Sequence, residues 1–116
     1  MRTLAWVFFS LVLLGCGSDG GPVGPGSHLV GAACSDDHHC EARCARGKHY
    51  PGGMCTVSCR DDRDCPGGTF CVSDHGGICA LSCGHHRDCD FMGPRYACDS
   101  HDRKGAPGRA HVCRVP

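Results

Sequence analysis

The chain has 116 residues, no net formal charge, 13 cysteines and 18 glycines. Near-neutrality argues against nucleic acid as the main partner. Eleven large apolar side chains between Cys34 and Cys113 are too few for an ordinary core, so disulfides or metal are expected to hold the fold.

Met1-Arg2-Thr3 is a short basic start, followed by an apolar run from Leu4 to Leu14. At ~1.5 Å per helical residue such a run spans only about 16 Å, against roughly 30 Å for a hydrocarbon core. It has the length of an export signal's apolar region, so residues 1–15 are expected to be a cleaved signal peptide. The run ends in Leu13-Leu14-Gly15-Cys16, which resembles the lipobox of bacterial lipoproteins. The resemblance implies cleavage before Cys16, diacylation of its thiol (palmitate-type chains) and acylation of its new amino group. Several acyl chains anchor durably where one does not. In that family an aspartate after the cysteine favours the inner membrane. Gly17 stands there instead, so the outer membrane or cell surface is the expected location. Gly17 to Ser27 reads as a Gly/Pro/Ser tether. The lipidated cysteine and tether are assigned to residues 16–33.

The other twelve cysteines repeat in three groups. Cys34, Cys40, Cys44 and Cys55 form the first, Cys59, Cys65, Cys71 and Cys79 the second, and Cys83, Cys89, Cys98 and Cys113 the third. This internal repeat divides the body into units 34–58, 59–82 and 83–116. Within each unit a five-residue, polar first interval (Ser35–His39, Arg60–Asp64, Gly84–Asp88) suits a tight turn. A later aromatic, Phe70 or Tyr96, is expected beside a disulfide as that unit's miniature core; the first unit departs from this pattern. Gly52-Gly53-Met54-Cys55-Thr56-Val57-Ser58-Cys59 matches Gly76-Gly77-Ile78-Cys79-Ala80-Leu81-Ser82-Cys83. Gly-Gly suits a hairpin turn, and the residues after it suit a short strand reaching the next unit. No segment keeps a helical period for three turns. The expected fold class is therefore small and disulfide-rich: three tandem four-cysteine units of short β-hairpins and loops, with little helix outside the signal peptide.

Cysteine spacing, acidic turn, Pro-Gly-Gly, aromatic and the closing Gly-Gly-aliphatic-Cys resemble the cysteine-rich repeats of secreted bacterial lipoproteins. Those repeats are compared with the Dickkopf N-terminal cysteine-rich region. The resemblance spans residues 34–113 and implies a binding or spacer module. Four cysteines admit three pairings. First-to-third with second-to-fourth is favoured, since bonding neighbours would strain the short loops. Bridges at this density require an oxidising compartment.

Histidine is the main candidate for other chemistry. His38-His39 and His85-His86 lie near Asp36, Asp37, Glu41 and Asp88, a donor set that suits zinc or copper. These pairs fall in different columns of the repeat and are missing from the middle unit, so they are read first as polar turn residues. A second alternative is a small proteinase inhibitor presenting Arg46-Gly47-Lys48 or Arg103-Lys104 from the longest inter-cysteine loops. Even pairing leaves no thiol nucleophile, and neither Gly-x-Ser-x-Gly nor a phosphate-binding loop occurs. The sequence reading is thus a non-catalytic envelope binding or structural module without a cofactor. Its partners are the membrane, through Cys16, and an unidentified protein or envelope component.

Overall fold

The computed structural model describes residues 23–116. The expected signal peptide, the Cys16 lipidation site and the first part of the tether lie outside the described residues. No helix among the described residues is long and apolar enough to cross a membrane.

Each unit begins with its five-residue interval wound into a 3-10 turn: Asp37–His39, Asp62–Asp64 and the longer His86–Met92. Side-chain acceptors force these turns. Asp36 accepts from His38 N at 2.8 Å and Asp61 from Arg63 N at 2.8 Å, the short-range competition for backbone donors that aspartate does well. The last residue of the interval then accepts from the first: Ser35 N to His39 Nδ1 at 3.2 Å, Arg60 N to Asp64 Oδ2 at 2.8 Å, and Gly84 N to Asp88 Oδ2 at 2.8 Å. Backbone donation from Gly84 and His85 holds the Asp88 carboxyl below its ordinary value.

A two-stranded antiparallel hairpin follows each turn. β1 (Arg43–Ala45) pairs with β2 (Met54–Thr56), β3 (Thr69–Val72) with β4 (Ile78–Leu81), and β5 (Ala97–Asp102) with β6 (Arg109–Arg114). Registers place Cys44 opposite Cys55, Cys71 opposite Cys79 and Cys98 opposite Cys113. Directly opposed residues project from the same face, so the third and fourth cysteines of a unit both face its turn. The bridges accordingly join first to third (Cys34–Cys44, Cys59–Cys71, Cys83–Cys98) and second to fourth (Cys40–Cys55, Cys65–Cys79, Cys89–Cys113). Their Cα–Cα separations of 5.3 to 6.0 Å are ordinary for disulfides. The favoured pairing is the one found.

The Gly-Gly steps do something other than turn a hairpin. They lie immediately before β2 and β4, where the chain passes hard against the unit's first cysteine. A Cβ on Gly53 (φ 76°) would sit 1.9 Å from Cys34 O, and one on Gly77 (φ 120°) 2.3 Å from Cys59 O. Only glycine satisfies both the positive φ and the approach.

The exit of one unit becomes part of the next. Cys79 N donates to Val57 O, and Ser58 bridges to Ile78, so the chain leaving β2 lies against β4. Likewise Ser82 bridges to Val112 and Cys83 N donates to His111 O, setting the chain beyond β4 against β6. For the first unit this place is taken by residues 31–32, with Gly31 N bonded to Cys55 O and Cys55 N to Ala32 O. Residues 23–33, expected as flexible tether, are therefore an ordered arm. Val23 bridges to Val30, Ser27 Oγ accepts from Val30 N at 3.2 Å, and Val30 is fully buried. Composition alone reads as linker, but Val23, Leu29 and Val30 supply enough apolar surface to pin it to the core. Beyond β6 the chain turns back, with Val115 N donating to His49 O at 2.9 Å and His49 Nδ1 2.7 Å from Val115 O. Unit three thus closes onto unit one.

A shared core joins the units, and beside it the first unit keeps a small cluster of Ala32, Cys34, Cys44 and Cys55. Val30, Tyr50, Met54, Val72, Ile78 and Val112, drawn from the arm and all three units, are fully buried in a single cluster. Units this small cannot bury an apolar face alone, so they bury it against each other. Tyr96 joins this cluster and donates its hydroxyl across to Pro51 O at 2.9 Å; burial pushes its pKa up to about 12. Phe70 is only half-buried, with the Arg103 guanidinium 5.4 Å above its ring.

Candidate binding groove

A polar cluster sits where the three units meet. Arg114 donates to Asp74 Oδ2 at 2.9 Å, to Asp74 Oδ1 at 3.2 Å and to Asp99 Oδ2 at 2.7 Å. Tyr50 Oη donates to Asp74 Oδ2 at 2.8 Å. His101 Nε2 lies 2.9 Å from Asp74 Oδ1, close enough for an ion pair but off the line of a straight hydrogen bond. Burial opposes the charge on Asp74, but the bonds from Tyr50 and Arg114 and the Arg114 charge outweigh it and hold the carboxyl below its ordinary value. Burial also opposes the charge on Arg114, and its bonds to Asp99 and Asp74 reverse that too, raising it. For Tyr50, burial and then the Asp74 charge both act upward, far above the ordinary phenol value.

None of these residues stood out in the sequence as a site, although a signal was present. Arg114 follows the last cysteine of its unit, in the column that holds Thr56 and Ala80 in the other two, and both of those are fully buried. An arginine in a buried column needs carboxylate partners. Asp74 occupies the column of Tyr50, each two residues before a Gly-Gly step, so the two repeat-equivalent side chains meet each other.

Beside this cluster lies an open groove of about 590 Å³, lined by Arg43, the Val57–Arg60 connection, Asp64, the His75–Gly77 loop and Lys104. Each lining segment is held in place. Arg43, on β1, donates to Ser58 Oγ at 3.0 Å. Lys104 is carried in by docking of the β5–β6 loop on β3: Val72 bridges to Arg103, Lys104 N donates to Cys71 O at 2.9 Å and Ser73 N to Asp102 O at 3.1 Å. Its ammonium then lies flat over Gly77, where a Cβ would be 2.9 Å from Nζ, and bonds Gly76 O. His75 is held in the left-handed region (φ 52°, ψ 31°) at the rim, its ring tilted against Tyr50.

The groove is electropositive for a specific reason. Arg63, Arg103, Arg109 and Arg114 each face a carboxylate. Arg43 and Lys104 are half-buried and bond only neutral oxygens, and among the described residues no carboxylate lies within ion-pair distance of either. Arg60 adds a third, largely exposed cation, 3.6 Å from Asp64.

The histidine pairs have structural employment. His86 Nδ1 accepts from Cys98 N at 3.1 Å, in the column where Asp37 accepts from Cys44 N at 2.9 Å and Asp62 from Cys71 N at 2.8 Å. His39 stands where Asp64 and Asp88 stand. These two histidines substitute for aspartate as backbone acceptors. His38 and His85 are exposed turn residues. Among the described residues, the only trios of His, Cys, Asp or Glu donor atoms within 4.8 Å of one another are bridged cysteine sulfurs. The basic loops are also tied down: Arg46 donates to Ser35 O at 2.8 Å, Arg103 pairs with Asp62, and Lys104 folds onto Gly76. Only Lys48 of that set has no such tie among the described residues. No family model matches the chain, and no curated protein or solved structure is detectably similar to it.

Proposed function

We propose that the protein is an exported, lipid-anchored, non-catalytic module of a bacterial cell envelope. It is tethered through Cys16 and presents the Arg43–Lys104 groove on a rigid scaffold, facing outward from the outer membrane or cell surface. The observation that carries this reading is the bridging of all twelve described cysteines. Bridges of this density persist in oxidising compartments, which agrees with the export signal and lipobox at the amino terminus. Six cross-links and a closed three-unit arrangement favour a fixed display surface over a moving one. The groove is shallow and open and offers charge, with its cysteine sulfur (Cys59) already bonded to Cys71.

Intact mass of membrane-extracted protein tests the reading. The expected species begins at Cys16, carries diacylglycerol and an amide-linked acyl chain, and takes up no alkylating reagent without reduction. A species retaining residues 1–15, or lacking acyl mass, would overturn the anchor.

A further inference from the structure

We propose that the groove binds a phosphate monoester carried on a sugar-sized scaffold, with Arg43 and Lys104 as the partners of the anion. The inference rests on the groove being the display surface of the preceding section. It begins from an imbalance. Removing a cation from water is costly unless an anion or a full set of acceptors replaces the lost hydration. Arg43 and Lys104 are each partly removed from water, each with one neutral oxygen in exchange, and both line the same groove. Elsewhere the fold provides a carboxylate for a partly buried cation, as Asp62 does for Arg103. Here Asp64 is the lone carboxylate of the lining, and it serves Arg60 by accepting its backbone N–H and pairing with its side chain.

The charge and the room indicate the ligand class. A doubly charged phosphate matches two lining cations, with the exposed Arg60 as a third, better than a single carboxylate does. The arginine fork suits its oxygens, and the lysine supplies a movable point charge. Lys104 exchanges a neutral carbonyl, Gly76 O, for an ionic partner, so the rearrangement is favourable. A volume of about 590 Å³ exceeds what one phosphate needs and lies within the range of small-molecule sites. Val57 and the Gly76–Gly77 backbone offer an uncharged surface for the carrier. The open mouth lets that carrier continue into a longer glycan or a lipid.

The test is amide-shift titration of the full chain bearing Cys16→Ser, with glucose 6-phosphate, inorganic phosphate and glucose as probes. Glucose 6-phosphate is expected to shift the amides of Arg43, Gly77 and Lys104 saturably, more weakly as salt is raised, while glucose leaves them unmoved. Arg43→Gln or Lys104→Gln is expected to weaken binding by about tenfold or more, the effect of losing one charge-assisted bond; Arg109→Gln on β6 leaves it unchanged. If Lys104→Gln disturbs docking of its loop, Arg43→Gln still decides the matter. Vesicles of phosphatidylcholine with and without phosphatidic acid separate the sources. Phosphatidic acid capture that needs Arg43 assigns the phosphate to a lipid headgroup, and saturable binding of glucose 6-phosphate without capture assigns it to a soluble phosphosugar. Equal response to glucose and glucose 6-phosphate, equal affinity of Arg43→Gln and the parent, or no response to any phosphate probe would overturn the proposal. Failure of the anchor reading appears separately in the intact mass and leaves this titration unchanged.

Discussion

Arg114 is the side chain whose loss should cost most without altering a disulfide. In Arg114→Met most of the packing volume stays while three charge-assisted bonds at 2.9, 3.2 and 2.7 Å disappear. Asp74 and Asp99 keep side-chain exposures of only 11% and 23%, so both carboxylates are left partly buried without their cation. Breaking one side of a buried pair costs about 3 to 5 kcal/mol, and the partial exposure of Asp99 places this one at about 3 kcal/mol, roughly a 150-fold change in equilibrium. Urea unfolding under non-reducing conditions, followed by tyrosine fluorescence, reads it directly: Tyr50 and Tyr96 are the only tyrosines and both sit at unit interfaces. Adding Asp74→Asn to Arg114→Met should recover part of the loss, because one fewer charge is stranded. A loss below about 1 kcal/mol, the level of an exposed pair, or strict additivity of the two substitutions, would refute the claim that this cluster locks the units together.

Acid should unlock the same cluster. The folded Asp74 carboxyl lies below its ordinary value, so its contribution is complete above ~3.9, the unfolded value, and drains away as pH falls through the folded one. The urea midpoint should therefore fall below about pH 4, and less steeply in Asp74→Asn. Both tyrosines should resist ionisation: at about pH 10, where a free phenol is half-ionised, the native protein should show almost no phenolate absorbance, and reduction in denaturant should restore it. His86→Asp and His39→Asp should be tolerated because they recreate the acceptor of the other units. His86→Ala should cost about 1 kcal/mol by orphaning Cys98 N, read by faster amide exchange there; equal stability of the Ala and Asp variants would contradict the column assignment.

Much of the architecture is legible in local chemistry. Cysteine spacing yields three units because intervals of fixed length close loops of fixed size, and the five-residue polar intervals make turns because aspartate bonds its neighbours' N–H groups. The Gly-Gly steps mark special backbone, although a hairpin tip and a close approach to Cys34 O or Cys59 O look alike in a string of letters. The arm from Val23 was hidden for a related reason. Its glycines and prolines describe how freely a chain can bend, and say nothing of whether Val30 finds a pocket.

The amino-acid sequence by itself determined the bridges, the turns and the strands, since each depends on residues within about one repeat of one another. Only the tertiary structure decided that the three units share a core, that Tyr50, Asp74, Asp99 and Arg114 converge, and that Arg43 and Lys104 line one groove with no carboxylate among the described residues paired to either. Those outcomes join residues far apart in the chain, as Val30 and Val112 are in the shared core. They depend on how three small hairpins bury apolar faces that none can bury alone, and that is a property of the assembled shape.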